Sequence, residues 1–235
     1  MMALGLNIVV GFAGLLDLGF VAFWAIGGYV GGWLMSSFFA KDQISISILG
    51  NPGIGSQGGI HISFWLTLMI AGAFTAIWGV IIGAPTLRLK SDYLALVTLG
   101  FGEIIRIFLN NLNRPFNLTN GPQGITLIDP LQIGGLSLSK SITIGGLTIA
   151  PVHSYYFVFL LCAVLIIVLS IRLEDSRIGR AWIAIREDEI AARAMGINTR
   201  NIKLLAFAMG ATFGGVSGGL FAAFQGFIRS EEHTS

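Results

Sequence analysis

Charge is scarce in this 235-residue chain. Only 11% of its residues are Asp, Glu, Lys or Arg, against about 25% in an ordinary soluble domain. A soluble core of this size needs a more polar surface than the sequence supplies. Cysteine is almost absent: the one residue, Cys162, sits in the apolar run FVFLLCAVLII. It excludes a disulfide framework and a cysteine metal set, and reads as a small buried hydrophobe. No GxxxxGK[ST] stretch occurs, so no phosphate-cradling loop for a nucleotide is present. Asp17, Glu103, His61, His153 and Cys162 have no catalytic or metal-ligand spacing. No enzymatic activity is expected of the chain, and no cofactor bound directly. The net charge of +2 is small, and no nucleic-acid partner is expected. The opening MMALGLNIVV lacks the basic n-region of a secretory signal.

What the chain has in abundance is apolar sequence. Hydrophobic residues make up 54%, and the mean hydropathy is +0.80. Several runs reach the roughly 20 residues that a helix needs to cross a bilayer. Thirty-two glycines accompany them, and glycine lets membrane helices approach closely. The fold class is therefore all-α, a polytopic membrane protein. The first apolar run begins almost at residue 1, and the last gives way to GFIRSEEHTS. Both features predict one piece of a longer membrane protein, incomplete at both ends.

Leu4 to Ala40 carries one charge, Asp17, and is too long for one helix. The cluster Gly11, Gly14, Asp17 and Gly19 predicts a break, followed by a span over Val21–Phe39. A buried carboxylate in membrane needs a partner or a wet cavity. Asp17 reads as a cap or hydrogen-bond anchor at the break; contact with a solute or ion is the alternative. An external loop over 41–62 follows, with turns marked at Asn51-Pro52-Gly53 and Gly58-Gly59. Ser63–Ala84 is a span, with Pro85 predicted to end it. Tyr93–Asn111 is a third apolar segment. Its Glu103 and Arg106 stand at i and i+3 and can pair, as a structural ion pair or as a polar wall of a translocation path. A second external loop covers 113–154. There Thr119-Asn120-Gly121-Pro122 reads as a turn or re-entrant feature, and Leu136–Ile149 as a short hairpin or a poorly periodic helix. Asn117-Leu118-Thr119 matches a glycosylation acceptor, a motif common by chance. Tyr155–Ile171 is the most apolar span. Leu204–Phe224 is the last, with Gly210, Gly214 and Gly218 forming a small-residue ridge for helix packing.

Between the last two spans lies the one long charged stretch, 172–203. It holds seven basic residues and five acids. With the turn at Arg88 and Lys90 it carries 9 of the 14 Lys and Arg residues. The positive-inside rule then sets both regions in the cytoplasm and both long loops outside, with five crossing elements and a cytoplasmic N-terminal end. Ile183, Ile190, Ala191, Ala194 and Met195 share one side at helical spacing, while Arg186, Glu189 and Arg193 lie largely on the other. Gly196 is a helix terminator and Asn198 a cap for the next helix. The mixed charge suits a protein-docking helix better than one lying on anionic lipid.

This stretch resembles the coupling loop of ABC importer permeases, whose pattern is Glu-Ala-Ala, three residues, then Gly. Here Ile190-Ala191-Ala192-Arg193-Ala194-Met195-Gly196 keeps the spacing, with Ile190 in place of the Glu and Glu189 one residue earlier. GFAGLL over 11–16, APTLRL over 84–89, DYLALVTLGFGEIIR over 92–106, GPQGI over 121–125 and SRIGR over 176–180 extend the likeness to the branched-chain amino acid permease family, LivM-like branch. It covers the chain from Leu4 to about Phe227. The resemblance implies a single transmembrane permease domain over 1–235, an ABC importer bundle with discontinuous helices. It implies a second, homologous permease subunit in a heterodimer and two cytoplasmic ATPase subunits that carry ATP and Mg. A periplasmic or lipid-anchored solute-binding protein would deliver the branched-chain amino acid. ATPase coupling would fall to Ala184–Gly196, on Arg186, Glu187, Glu189, Ile190, Ala191, Ala192 and Gly196. The implied location is the prokaryotic inner membrane. A urea or amide permease of the same kind, and an ATPase-independent channel or scaffold, are the alternative readings.

Overall fold

The computed structural model describes residues 1–42, 45–48, 59–89, 91–113, 117–133, 136–137, 142–144 and 147–229. The turns expected at Asn51-Pro52-Gly53 and at Gly58, and the cations Lys90, Arg114 and Lys140, lie outside them.

The chain opens with α1 (Met2–Asn7), which widens into a π-helical turn over Ile8–Phe12. It breaks at Gly14, whose φ of +67° is a backbone conformation open to glycine. Helix α2 (Val21–Leu34) follows. The expected break is present, but the expected span to Phe39 is not. At 14 residues α2 is about 21 Å long, short of the roughly 30 Å hydrocarbon layer. Met35 leaves helical geometry, and the Ser36 hydroxyl donates to the Gly32 carbonyl and closes the helix end. Strand β1 (Met35–Ser36) follows, and then β2 (Ser45–Ile48) and β3 (Gly59–Ile62). Strand β3 runs between the other two, antiparallel to β1 and parallel to β2.

Helix α3 (Phe64–Thr86) carries Pro85 in its last turn, so the helix passes the boundary expected at Ala84. Pro85 cannot donate to the Ile81 carbonyl, but the helix continues past it, and Leu87 N–H donates to the Gly83 carbonyl. Helix α4 (Ser91–Asn111) leads to the turn at 119–124. Asn120 and Gly121 adopt positive φ there, and the Thr119 hydroxyl donates to the Leu109 carbonyl. Strands β4 (Ile125–Thr126), β5 (Gln132–Ile133), β6 (Leu136–Ser137), β7 (Ile142–Ile144) and β8 (Leu147–Ile149) fill the second loop. β7 and β8 pair antiparallel, which settles the alternation there as a hairpin. Helices α5 (Pro151–Glu174), α6 (Arg177–Glu187), α7 (Glu189–Ala194) and α8 (Thr199–Gln225) complete the bundle. The closing strand β9 (Phe227–Ile228) pairs with β4.

Among the described residues four helical segments are long and apolar enough to cross a membrane: Phe64–Thr86, Tyr93–Asn111, Pro151–Glu174 and Thr199–Gln225. The first region, expected as a fifth crossing element, supplies two shorter apolar helices instead, Met2–Phe12 and Val21–Leu34.

Helix α8 is the hub. A Cβ on Gly27 would strike the Gly215 backbone, and one on Gly218 the Trp24 carbonyl. One on Gly79 would stand 2.7 Å from the Ala211 Cβ. Backbones therefore touch where α2 and α3 cross α8, which side chains would forbid. Gly210 faces Val9 and Gly5 of the first helix, and Gly214 faces Phe20 and Phe23. The core has two main apolar clusters. One joins Tyr29, Phe64, Tyr155 and Leu220; the other joins Ile8, Phe20, Trp182 and Phe207.

Candidate functional site

The charged segment is built from three caps. Ser176 begins α6: its hydroxyl oxygen accepts from Gly179 N–H at 3.1 Å and donates to the Leu173 carbonyl. Gly179 fits against the Glu174 carbonyl where any Cβ would collide, so the chain doubles back sharply after α5. Asp188 ends α6 in extended geometry and begins α7. Its carboxylate accepts from Ile190 N–H at 2.8 Å and Ala191 N–H at 3.0 Å. Gly196, at φ +85°, ends α7, and Asn198 caps α8. The segment is thus two helices, where the sequence pattern had implied one apolar side running from Ile183 to Met195. The Asp188 break separates them. Ile183 goes with α6, half-buried; Ile190 and Met195 project outward, 81% and 84% exposed. Ala191 and Ala194 are exposed beside them, and Ala192 alone turns inward.

Three contacts hold this surface to the bundle. Trp182 is fully buried against the first helix and α8, and its indole N–H donates to the Ile202 carbonyl at 2.7 Å. The Arg186 stem lies over Gly14, where a Cβ would meet its Cγ at 2.6 Å, and its guanidinium donates to the Gly11 carbonyl. Glu189 accepts from Lys203 at 2.6 Å and pairs with Arg193 at 3.1 Å. Lys203 holds the Glu189 carboxyl below the usual glutamate range, with partial burial opposing it. Glu187 is exposed, 3.8 Å from Arg186. The outcome is a small, rigidly seated knob tied to the break in the first helix. Trp182, Lys203 and the Gly11 carbonyl were missed in the sequence. Trp182 carried a signal, as the sole tryptophan of the charged stretch.

A second candidate lies within the bundle. Glu103 and Arg106 do pair: Arg106 Nη2 donates to Glu103 Oε1 at 2.6 Å and Nε to Oε2 at 3.0 Å. Their side chains are 52% and 39% exposed, on a face of α4 that the chain leaves open. They edge a groove of about 190 Å³ between α2 and α4, whose other walls include Val21, Ala25, Leu99 and Leu109. Asp17 does not line it. Asp17 is buried, accepts from Gly19 N–H at 2.9 Å, and stands beside Thr98 of α4, whose hydroxyl accepts from Leu18 N–H. The break is therefore pinned onto α4. The other Asp17 oxygen has no hydrogen-bond partner among the described residues.

At the opposite end of the bundle His61 of β3 is buried and bonded to Asp129, which links the two long loops. Asp129 N–H also donates to the Met35 carbonyl. Among the described residues no three His, Cys, Asp or Glu side chains converge as a metal site.

Spanning helices around a glycine-packed hub, a broken first helix and a capped knob at one end define a multi-pass helical membrane protein. The chain belongs to the family described as branched-chain amino acid transport system / permease component, whose model matches residues 1–235. It is 42% identical to the high-affinity branched-chain amino acid transport system permease protein LivM of Escherichia coli (strain K12), over 99% of this chain and 52% of that protein. It is 41% identical to the Salmonella typhimurium protein of the same name, with the same coverage. It is 27% identical to the probable branched-chain amino acid transport permease protein LivM of Methanocaldococcus jannaschii, over 94% of this chain and 63% of that one. The chain spans about half the length of the first two relatives. No solved structure gave a significant match.

Proposed function

We propose that this chain forms part of the membrane path of an ATP-driven importer for branched-chain amino acids, and that α7 docks a separate ATPase. The observation that carries the docking is the exposure of Ile190 and Met195 on a capped, seated helix outside the spans. Two large apolar side chains held out on a rigid knob fit a groove in a soluble partner. Motion of the partner would pass through Arg186 to Gly11 and so to the break in the first helix. ATP and Mg bind the partner, and this chain does no chemistry. The membrane is the prokaryotic inner membrane, with α7 on the cytoplasmic side. The solute class rests on the relatives' names.

The half-exposed Glu103–Arg106 pair supports a second permease subunit. An ion pair on the face of a spanning helix is costly against lipid, so α4 is expected to face protein. A solute-binding protein would meet the opposite end, where His61 and Asp129 join the loops.

The test is capture of the cognate ATPase by this chain, with the second permease subunit co-expressed. Ile190→Asp with Met195→Asp should lower capture about tenfold or more, because burying either side chain is worth about 1.5–3 kcal/mol. Membrane insertion should be unchanged. Equal capture by the native and the well-inserted variant chains would remove α7 from the interface.

A further inference from the structure

We propose that the cavity beside α7 binds a phosphate-bearing anion, and that the source of the anion is the headgroup of an acidic phospholipid. The cavity holds about 480 Å³, ample for a headgroup. Arg88, Arg186, Arg193 and Lys203 line it, and among the described residues Glu189 is the one carboxylate on the wall. These residues come from three parts of the chain: the turn after α3, the α6–α7 knob and the start of α8. Glu189 is already held by Lys203 and Arg193. Arg186 donates to the Gly11 carbonyl and has Glu187 at 3.8 Å. No ion pair among the described residues includes Arg88. Four cations set against Glu189 and Glu187 leave an excess of positive charge among the described residues, and an anion between them relieves the repulsion.

The position favours a lipid over a soluble ion. Leu87 and Leu89 stand on the cavity's apolar side, Leu89 exposed and Leu94 buried behind them, at the end of one spanning helix and the start of the next; Leu15 and Ile185 add further apolar wall. A pocket at that depth lies level with the headgroups, and basic pockets at helix ends bind them. An apolar rim suits the glycerol and upper acyl chain, and offers nothing to free phosphate. The lipid would fill the space between α7 and the spans and brace the knob. This inference rests on the membrane fold and stands whether or not α7 docks an ATPase.

The experiment is native mass spectrometry of the delipidated chain offered phosphatidylglycerol or phosphatidylcholine, with inorganic phosphate as a third arm. The native chain should retain one phosphatidylglycerol in clear preference to phosphatidylcholine, and millimolar phosphate should not displace it. Arg88→Gln should weaken retention about fivefold, since a basic residue near an anionic surface contributes about that factor. Adding Arg193→Gln should weaken it further, while Arg88→Lys should stay near native. An unchanged melting temperature shows that the variants are folded. Phosphate binding without preference for phosphatidylglycerol would uphold the anion site and overturn its lipid source. Equal retention of both lipids with no phosphate binding would overturn the site itself. So would Arg88→Gln that spares lipid retention but abolishes ATPase capture, which would assign the pocket to an acidic segment of that partner.

Discussion

Lys203, near the start of α8, donates to Glu189, in the first turn of α7, across 2.6 Å. The contact fixes the direction of α7 relative to the last spanning helix. It also fixes how that direction depends on pH. Glu189 has its carboxyl lowered first by the Lys203 hydrogen bond. A carboxylate lowered by folding stabilises the fold above its unfolded value, and that stabilisation is lost as pH falls through the folded value. Protection of the α7 amides from hydrogen exchange, corrected for intrinsic rates, should therefore be flat above about pH 5 and fall below it. Lys203→Met should lower protection at neutral pH by up to about 1 kcal/mol, the scale of a partly exposed pair. The same variant should flatten the acid limb. An acid limb unchanged in Lys203→Met would break the link between this pair and α7.

The glycine ridge gives a sharper contrast. Gly218 packs where a Cβ would collide with the Trp24 carbonyl, whereas Gly100 on α4 has no heavy atom within 4 Å of such a Cβ. Gly218→Ala should force α2 and α8 apart and cost about 1–3 kcal/mol, seen as a lower melting temperature in detergent. Gly100→Ala should be neutral or stabilise by up to about 1 kcal/mol through helix propensity. Similar shifts for the two variants would mean that the close approach of α2 and α8 is not what the glycine serves.

The spans and the breaks were legible in the sequence because each has a local cause. Long apolar runs, Gly14 at positive φ, Gly196 after Met195 and the Asn198 cap act within a few residues. The length of α2 was not legible. Its end depends on Met35–Ser36 pairing with β3, some 25 residues on, and on the Ser36 hydroxyl. The split at Asp188 was missed for another reason. Aspartate between two helical patterns reads as one more polar face residue until its carboxylate is seen to accept from Ile190 and Ala191. The Arg186–Gly11 contact joins residues 175 apart, and no local pattern encodes such a distance.

Glu103 and Arg106 bear on how the open face of α4 is used. Spacing alone left a structural pair and a path wall open, and the structure adds that the pair is half-exposed at the edge of an apolar groove. Removing one partner strands a charge, which costs far more than removing both. Glu103→Gln and Arg106→Gln should each reduce the folded yield from membranes, and the double variant should restore it. If the pair only braces α4 against protein, and the importer is the one proposed above, leucine uptake by the double variant, assembled with the proposed second subunit and ATPase, should stay within a few-fold of native. We expect that result, because the two side chains satisfy each other through three hydrogen bonds and the groove beside them is mainly apolar. A double variant that folds but fails to take up leucine would place the pair on the solute's route. The groove between α2 and α4 would then be a stretch of that route, with the break at Gly14 and Asp17 at its inner end.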